Sequence, residues 1–290
     1  MSGKLFFATI AALVFSSMAV RGDMREVARR AAPCRDLAKE TVYGGAGGNA
    51  YVVRFKGTCG KVPRGSVAKV FYSLDEQKAA LKSLGKLPDV KALAGLVQEK
   101  KEFDGPCVHV HKDDDCCSHI KPSDTCHFMV MQNGGSKTLQ QCVEGQALAP
   151  DTLKGLLVSA INAAISFHKL GWYHGDYQLK NLMVNDACSP RTLKAVDLDY
   201  MDNKEGTPGE SWNKPHRMLR DYAMLLGTCD WGALPLVDFE YKSANVQKEA
   251  ARIAAAAEPI MSPHCNSAWN LSPDEVVEVA RKLKTAVQGA

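Results

Sequence analysis

Residues 172–184, WYHGDYQLKNLMV, set a carboxylate, Asp176, and an amide, Asn181, five positions apart. A long helical pattern precedes them and a short strand-like run follows. A second carboxylate, Asp197, stands near the end of the next strand-like run, LKAVDLD. One carboxylate to accept a hydroxyl proton, with an amide and a carboxylate to hold Mg²⁺, is the equipment of phosphoryl transfer. Magnesium is a hard cation that takes oxygen ligands and keeps several waters. One amide and one carboxylate therefore suffice when nucleotide phosphates complete the shell. Lys180 brings a cation to the same turn.

Three further features come earlier in the chain. In YGGAGGNAYV, residues 43–52, Gly45, Gly47, Gly48 and Asn49 form a glycine loop whose amides could approach phosphate oxygens. Lys69 lies in a strand-like run, SVAKVF. HFMVMQNGGS, residues 127–136, reads as a strand running into a flexible connector at Asn133-Gly134-Gly135. In this order the parts resemble the protein-kinase superfamily, in particular the secreted, rhoptry-type kinases of apicomplexan parasites, whose catalytic loop is also His-Gly-Asp. The resemblance runs over about residues 41–230 and is weakest in the last 60 residues.

The resemblance implies a bilobal fold, ATP, and Mg²⁺ or Mn²⁺. It implies Asp176 as the base, Asn181 and Asp197 as metal ligands, and Lys69 on the α- and β-phosphates. Lys180 would approach the phosphate charge, as an Arg at that place does in tyrosine kinases. Gly45, Gly47, Gly48, Asn49 and Val52 would cover the nucleotide, with Met131 at the adenine hinge. The ion-pair partner of Lys69 should be a helix glutamate: Glu76, with Glu99 and Glu102 as alternatives. Asp221, in LRDYAMLLG, stands where a helix aspartate braces the catalytic loop. His174 should hold that loop, and His168 is read as structural. The implied acceptor is a protein hydroxyl, of the serine/threonine kind, and the implied state a monomer.

Departures from the pattern keep other readings open. Gln178 stands where serine/threonine kinases carry Lys, and Gly175 removes the Arg that clamps a phosphorylated activation loop. Leu198 and Asp199 replace the Phe and Gly of the metal-binding triplet, and no Ala-Pro-Glu follows Gly206-Thr207-Pro208. Choline and aminoglycoside kinases share His-Gly-Asp and the Asn at plus five, so a small-molecule kinase is a second reading. A nucleotide-binding pseudokinase is a third, although Lys69, Asp176, Asn181 and Asp197 all remain.

These groups need elements to hold them. DTLKGLLVSAINAAISFHKL carries Leu153, Leu156, Leu157, Ala160, Ile161, Ala164 and Ile165 at helical spacing, with Asp151 and Thr152 as caps. Helices are also expected over residues 73–87, 89–103 and 273–287. Strands are expected after the glycine loop, at SVAKVF, and as a pair at CVHVHK and HFMVMQ. The fold class is α+β: a β-rich N-lobe over 41–133 and a helical, shortened C-lobe over 134–290.

Composition narrows the setting. The 290 residues are 46% hydrophobic and 23% charged, which excludes wholesale disorder. A formal charge of +4 is too mild for a nucleic-acid partner. Lys4, the apolar run Leu5 to Val20 and the small residues Ser17 and Ala19 predict a signal peptide over 1–20. No later run is long enough to span a membrane, so a secreted or lumenal chain is expected, the resemblance adding a parasite organelle or vacuole. Residues 21–40 read as a basic arm, with a processing point at Arg29-Arg30. The ten cysteines are then read as disulfides. Cys107, Cys116, Cys117, Cys126 and Cys142 cluster with histidines, but no paired C-x-x-C frame for zinc is present. Asp113-Asp114-Asp115 reads as a solvated loop. Asn270-Leu271-Ser272 is a glycosylation sequon.

Overall fold

The computed structural model describes residues 32, 34–47, 50–85, 101–110, 120–145, 148–198, 201–204, 213–231 and 234–290. The signal peptide, the Arg29-Arg30 pair, Gly48, Asn49, Glu99, the Asp113–Asp115 run, Cys116, Cys117, Asp199 and the Gly206–Pro208 stretch lie outside them. The fold is α+β. The described residues fall into two compact units, one of residues up to Lys78 with 101–132, the other of Ala79–Gly85 with Asn133 onward.

The first unit is an antiparallel sheet of five strands in the order β1-β2-β3-β5-β4. They are β1 (Thr41–Gly47), β2 (Ala50–Phe55), β3 (Val67–Phe71), β4 (Lys101–Pro106) and β5 (Thr125–Met131). Alternation decides what each face does. Tyr51, Val53, Phe55, Ala68, Val70, Phe103, Phe128 and Val130 are buried in one core. Phe103 stacks on Phe128 with ring centroids 4.6 Å apart. A short helix, α1 (Leu37–Glu40), adds Leu37 to that core. Disulfides Cys34–Cys59 and Cys107–Cys126 staple it. The helix α2 (Leu74–Gly85) follows β3 and buries Gln77, whose amide Nε2 donates to the Phe128 carbonyl at 3.0 Å.

Three expectations are corrected here. The glycines are not a loop ahead of the sheet: Gly45–Gly47 belong to β1, and Gly47 pairs with Ala50 across a two-residue link. The strand pairing with β5 is Lys101–Pro106, not CVHVHK. His109 has φ 55, a left-handed backbone that no extended strand adopts, and its ring meets Thr41 Oγ1 at 3.0 Å. The helix expected over 89–103 does not include Lys101–Phe103, because Phe103 turns into the sheet core while Glu102 faces out.

In the second unit, β6 (Lys137–Thr138) leads into α3 (Leu139–Gly145) and α4 (Pro150–His168), and β7 (Leu182–Val184) and β8 (Lys194–Ala195) follow, the three strands forming a small sheet in the order β6-β7-β8. Three helices follow: α5 (Lys214–Leu226), α6 (Ala244–Met261) and α7 (Pro273–Gly289). The apolar stripe of α4 from Leu153 to Ala164 is buried as its spacing predicts, while Ile165 is half-buried against the same core. The cap differs from expectation. Ala149 is the N-cap and Pro150 the first helical residue, so Asp151 and Thr152 fall inside the first turn. Proline suits that place because its missing N–H would be unpaired there anyway. The C-terminal helix α7 opens on a capping box between Ser272 and Glu275.

Disulfides Cys142–Cys188 and Cys229–Cys265 lie in this unit, which makes four bridges among the described residues. Four bridges fit a chain matured in an oxidising compartment. Among the described residues no helix is long and apolar enough to cross a membrane.

Candidate active site

The turn that carries Asp176 lies in the second unit and is built from α4 outward. That helix ends at His168, and Gly171 reverses the chain with φ +75. Tyr173 then exchanges two backbone hydrogen bonds with Asp202 at 3.0 and 3.1 Å. Next come His174, Gly175 and Asp176, then a 3-10 turn, Leu179–Asn181, that delivers the chain to β7. Tyr177 anchors this segment from below by donating its hydroxyl to the Ala160 carbonyl of α4 at 2.8 Å. Burial raises that phenol well above its ordinary pKa, so it stays a donor.

Asp221 on α5 holds the turn from the other side. Its carboxylate is fully buried. Oδ2 accepts from the His174 amide at 2.7 Å and Oδ1 from the Gly175 amide at 2.9 Å. His168 Nε2 donates to Oδ2 at 3.0 Å, and His168 Nδ1 accepts from the Tyr222 hydroxyl at 2.8 Å. Burial lowers the pKa of His168, so the ring is a neutral spacer with one donor and one acceptor. Three donors on one buried carboxylate meet the condition for keeping a charge out of water. Gly175 has φ +83, a backbone that a residue with a Cβ adopts only at a cost.

His174 ties the turn to the segment after β8 that carries the second carboxylate, which stands two residues beyond the strand rather than at its end. Its Nδ1 accepts from the Asp176 amide at 3.3 Å, so Nε2 is the protonated nitrogen and donates to the Val196 carbonyl at 2.9 Å. The Val196 amide in turn donates to the Asn181 carbonyl at 2.9 Å. Asp197 follows with φ 61. A non-glycine residue in that region marks a place where the surroundings impose a conformation, and such places gather at functional sites.

The structure brings Asp176 and Asn181 into direct contact. Asn181 is buried, and its Nδ2 donates to the Asp176 carbonyl and to Asp176 Oδ2, both at 2.8 Å. The Asn181 side-chain oxygen is therefore the atom left to bind a cation. Gln178 donates to the other Asp176 oxygen, Oδ1. Sequence reading gave Gln178 no role beyond replacing a lysine, although its place two residues after Asp176 was the available signal. Lys180 lies on the same turn and is exposed. Among the described residues no group of three or more His, Cys, Asp or Glu is placed to hold a metal ion. Asn181 and Asp197 instead offer two hard oxygen donors, which suits Mg²⁺ completed by water and phosphate.

The other candidates lie in the first unit. Strand register puts Gly45 opposite Val52, Val52 opposite Lys69, Lys69 opposite Met129 and Met129 opposite Glu102. One cross-sheet row thus holds four of the residues singled out, Gly45, Val52, Lys69 and Glu102. Met131 lies on the same face, two residues beyond Met129. The half-buried Lys69 ammonium is 5.7 Å from the centroid of the Phe71 ring. Glu76 lies in the first turn of α2 and is exposed, while its neighbour Gln77 is the buried residue. Glu102 is on β4 rather than on a helix, on the Lys69 face of the sheet two strands away. No protein-family model matches this chain, and no curated protein matches it.

Proposed function

We propose that this protein is an ATP-dependent protein kinase of the secretory pathway. The observation that carries the reading is the constellation around Asp176. A carboxylate is fixed by two side-chain amides, on a turn whose backbone is clamped by a buried aspartate and which His174 ties to Val196, the residue before a second carboxylate. Such a site suits in-line transfer to a hydroxyl, where positioning and charge neutralisation supply most of the rate.

In this reading the Asp176 carboxylate accepts the proton of the acceptor hydroxyl. The hydroxyl oxygen bonds to the γ-phosphorus while the bond from that phosphorus to the β,γ-bridging oxygen breaks, and ADP leaves with the electron pair. The Asn181 side-chain oxygen and the Asp197 carboxylate would hold Mg²⁺, which when bound neutralises phosphate charge. Lys69 would supply a cation to the α- and β-phosphates, and the backbone of Gly45–Gly47 and the side chain of Val52 would line the nucleotide. Met131 would stand at the adenine edge. Lys180 adds an exposed cation beside Asp176. The disulfides and the N-terminal leader pattern support a secreted or lumenal place of action.

The test is on the purified protein, wild type beside Asp176→Ala and Asp197→Ala. ATP consumption and γ-phosphate transfer are followed with Mg²⁺ or Mn²⁺, offering generic protein acceptors, the enzyme itself, choline and aminoglycosides. Transfer to protein that both variants lose is expected, with Asp176→Ala still binding nucleotide and Asp197→Ala losing metal-dependent binding. Full activity in Asp176→Ala would remove the proposed base. Transfer to a small alcohol alone would replace a protein acceptor by a small-molecule one.

A further inference from the structure

The helix α5 carries four basic side chains in its first seven residues: Lys214, His216, Arg217 and Arg220. Cations in the first turns of a helix oppose its dipole, so helix stability does not account for them. His216 is not one of the charges. Burial, with Arg220 and Arg217 beside it, lowers its pKa to about 4. The three permanent cations recur every third residue, which keeps them along one side of the helix. Each meets a different point of the segment leading into Asp176. The Lys214 ammonium lies 3.4 Å from where a Cβ on Gly171 would stand. The Arg217 guanidinium sits over the Tyr173 ring at 5.5 Å. Arg220 Nη1 donates to the Gly175 carbonyl at 2.8 Å.

The last contact has a specific consequence. The Gly175 carbonyl belongs to the peptide that joins Gly175 to Asp176. Asp221 holds the Gly175 amide and Arg220 holds the Gly175 carbonyl, so two consecutive residues of α5 fix both polar groups of one left-handed glycine. Fixing that peptide plane sets the direction in which the Asp176 side chain leaves the backbone. We propose that Arg220 is a positioning residue for Asp176, the working rung of a three-cation ladder by which α5 sets the loop in which Gly175 contributes no side chain of its own. The planar fork of arginine suits the task, because it donates in a fixed direction where an ammonium does not. The inference rests on the kinase reading only for its catalytic consequence.

The test uses the full chain with Arg220→Met, Arg217→Met and Lys214→Met, each keeping an unbranched stem, and Arg220→Lys as the conservative partner. Amide exchange is read on a peptide spanning residues 171–179, beside the denaturant midpoint. Arg220→Met should speed exchange at Gly175 and Asp176 about tenfold or more, with Arg217→Met and Lys214→Met progressively less effective, and Arg220→Lys in between. Where transfer is measurable, Arg220→Met should lower kcat about 100-fold, the scale expected of a misplaced catalytic group, and leave KM for ATP within about twofold. A merely structural role gives the opposite order, because Lys214, at 7% exposure, is the most buried of the three. Exchange at Gly175 and Asp176 that is unchanged in Arg220→Met, or greatest in Lys214→Met, would overturn the proposal. Absence of transfer in the wild type would sink the kinase reading while leaving the exchange order to decide this one.

Discussion

At the scale of single residues, much rests on the backbone of Gly175. The sequence shows a glycine between His174 and Asp176, and the structure supplies a reason in its φ of +83 between two hydrogen bonds with α5. Gly175→Ala should cost about 1–2 kcal/mol of stability, the penalty of forcing an L-residue into left-handed space. The urea midpoint would report the cost. A midpoint equal to wild type would mean that the turn relaxes to another conformation. The roles of His168 and His174 were legible in part, since both were expected to be structural. Their tautomers were not, because a tautomer depends on which groups face each ring nitrogen. Gln77 was not legible either. It stands next to an acidic residue in sequence, and only helix phase against the sheet decides that Gln77 is buried and Glu76 exposed.

At the scale of elements, periodicity was the dependable guide. The stripe of α4 and the alternation of β2, β3 and β5 depend only on which way successive side chains point. Boundaries were less legible. The strand β4 was missed because KEF continues a charged helical pattern, and pairing with β5 outweighs that local preference. The turn that follows β7 is held to α3 by Cys142–Cys188, two fully buried cysteines 46 residues apart in sequence. A loop of that length corresponds to about 4 kcal/mol in the chain-entropy account. The double variant Cys142→Ser, Cys188→Ser should therefore lose about 2–4 kcal/mol, read as a lower denaturant midpoint without reductant. Reductant should then lower the midpoint less in the double variant than in wild type, the remainder belonging to the other three described bridges. An unchanged midpoint in the double variant would show that the bridge contributes little.

At the scale of the molecule, pH should act through histidines buried in the neutral form. Burial lowers the pKa of both His168 and His216, the latter to about 4. The unfolded chain binds protons at these rings near pH 6.5 while the folded chain does not, so their contribution is complete above that pH. It declines as pH falls from about 6.5 toward the folded value, by up to about 1.4 kcal/mol per pH unit for each ring. Melting temperature should drop between pH 7 and pH 5, and His216→Gln should flatten the fall. A profile identical in the variant would show that His216 does not carry it. The sequence alone determined the α+β class, the core stripe of the long helix, the even use of cysteine, and the five-residue spacing that brings Asn181 onto Asp176. Those follow from residue type and local spacing, because period and side-chain chemistry are properties of short segments. Only the tertiary structure decided which cysteines pair, which face of the sheet Lys69 shares with Val52 and Met131, and which side chains of α5 seize the Gly175 backbone. Such contacts join segments dozens of residues apart, and their selection depends on packing against the whole core.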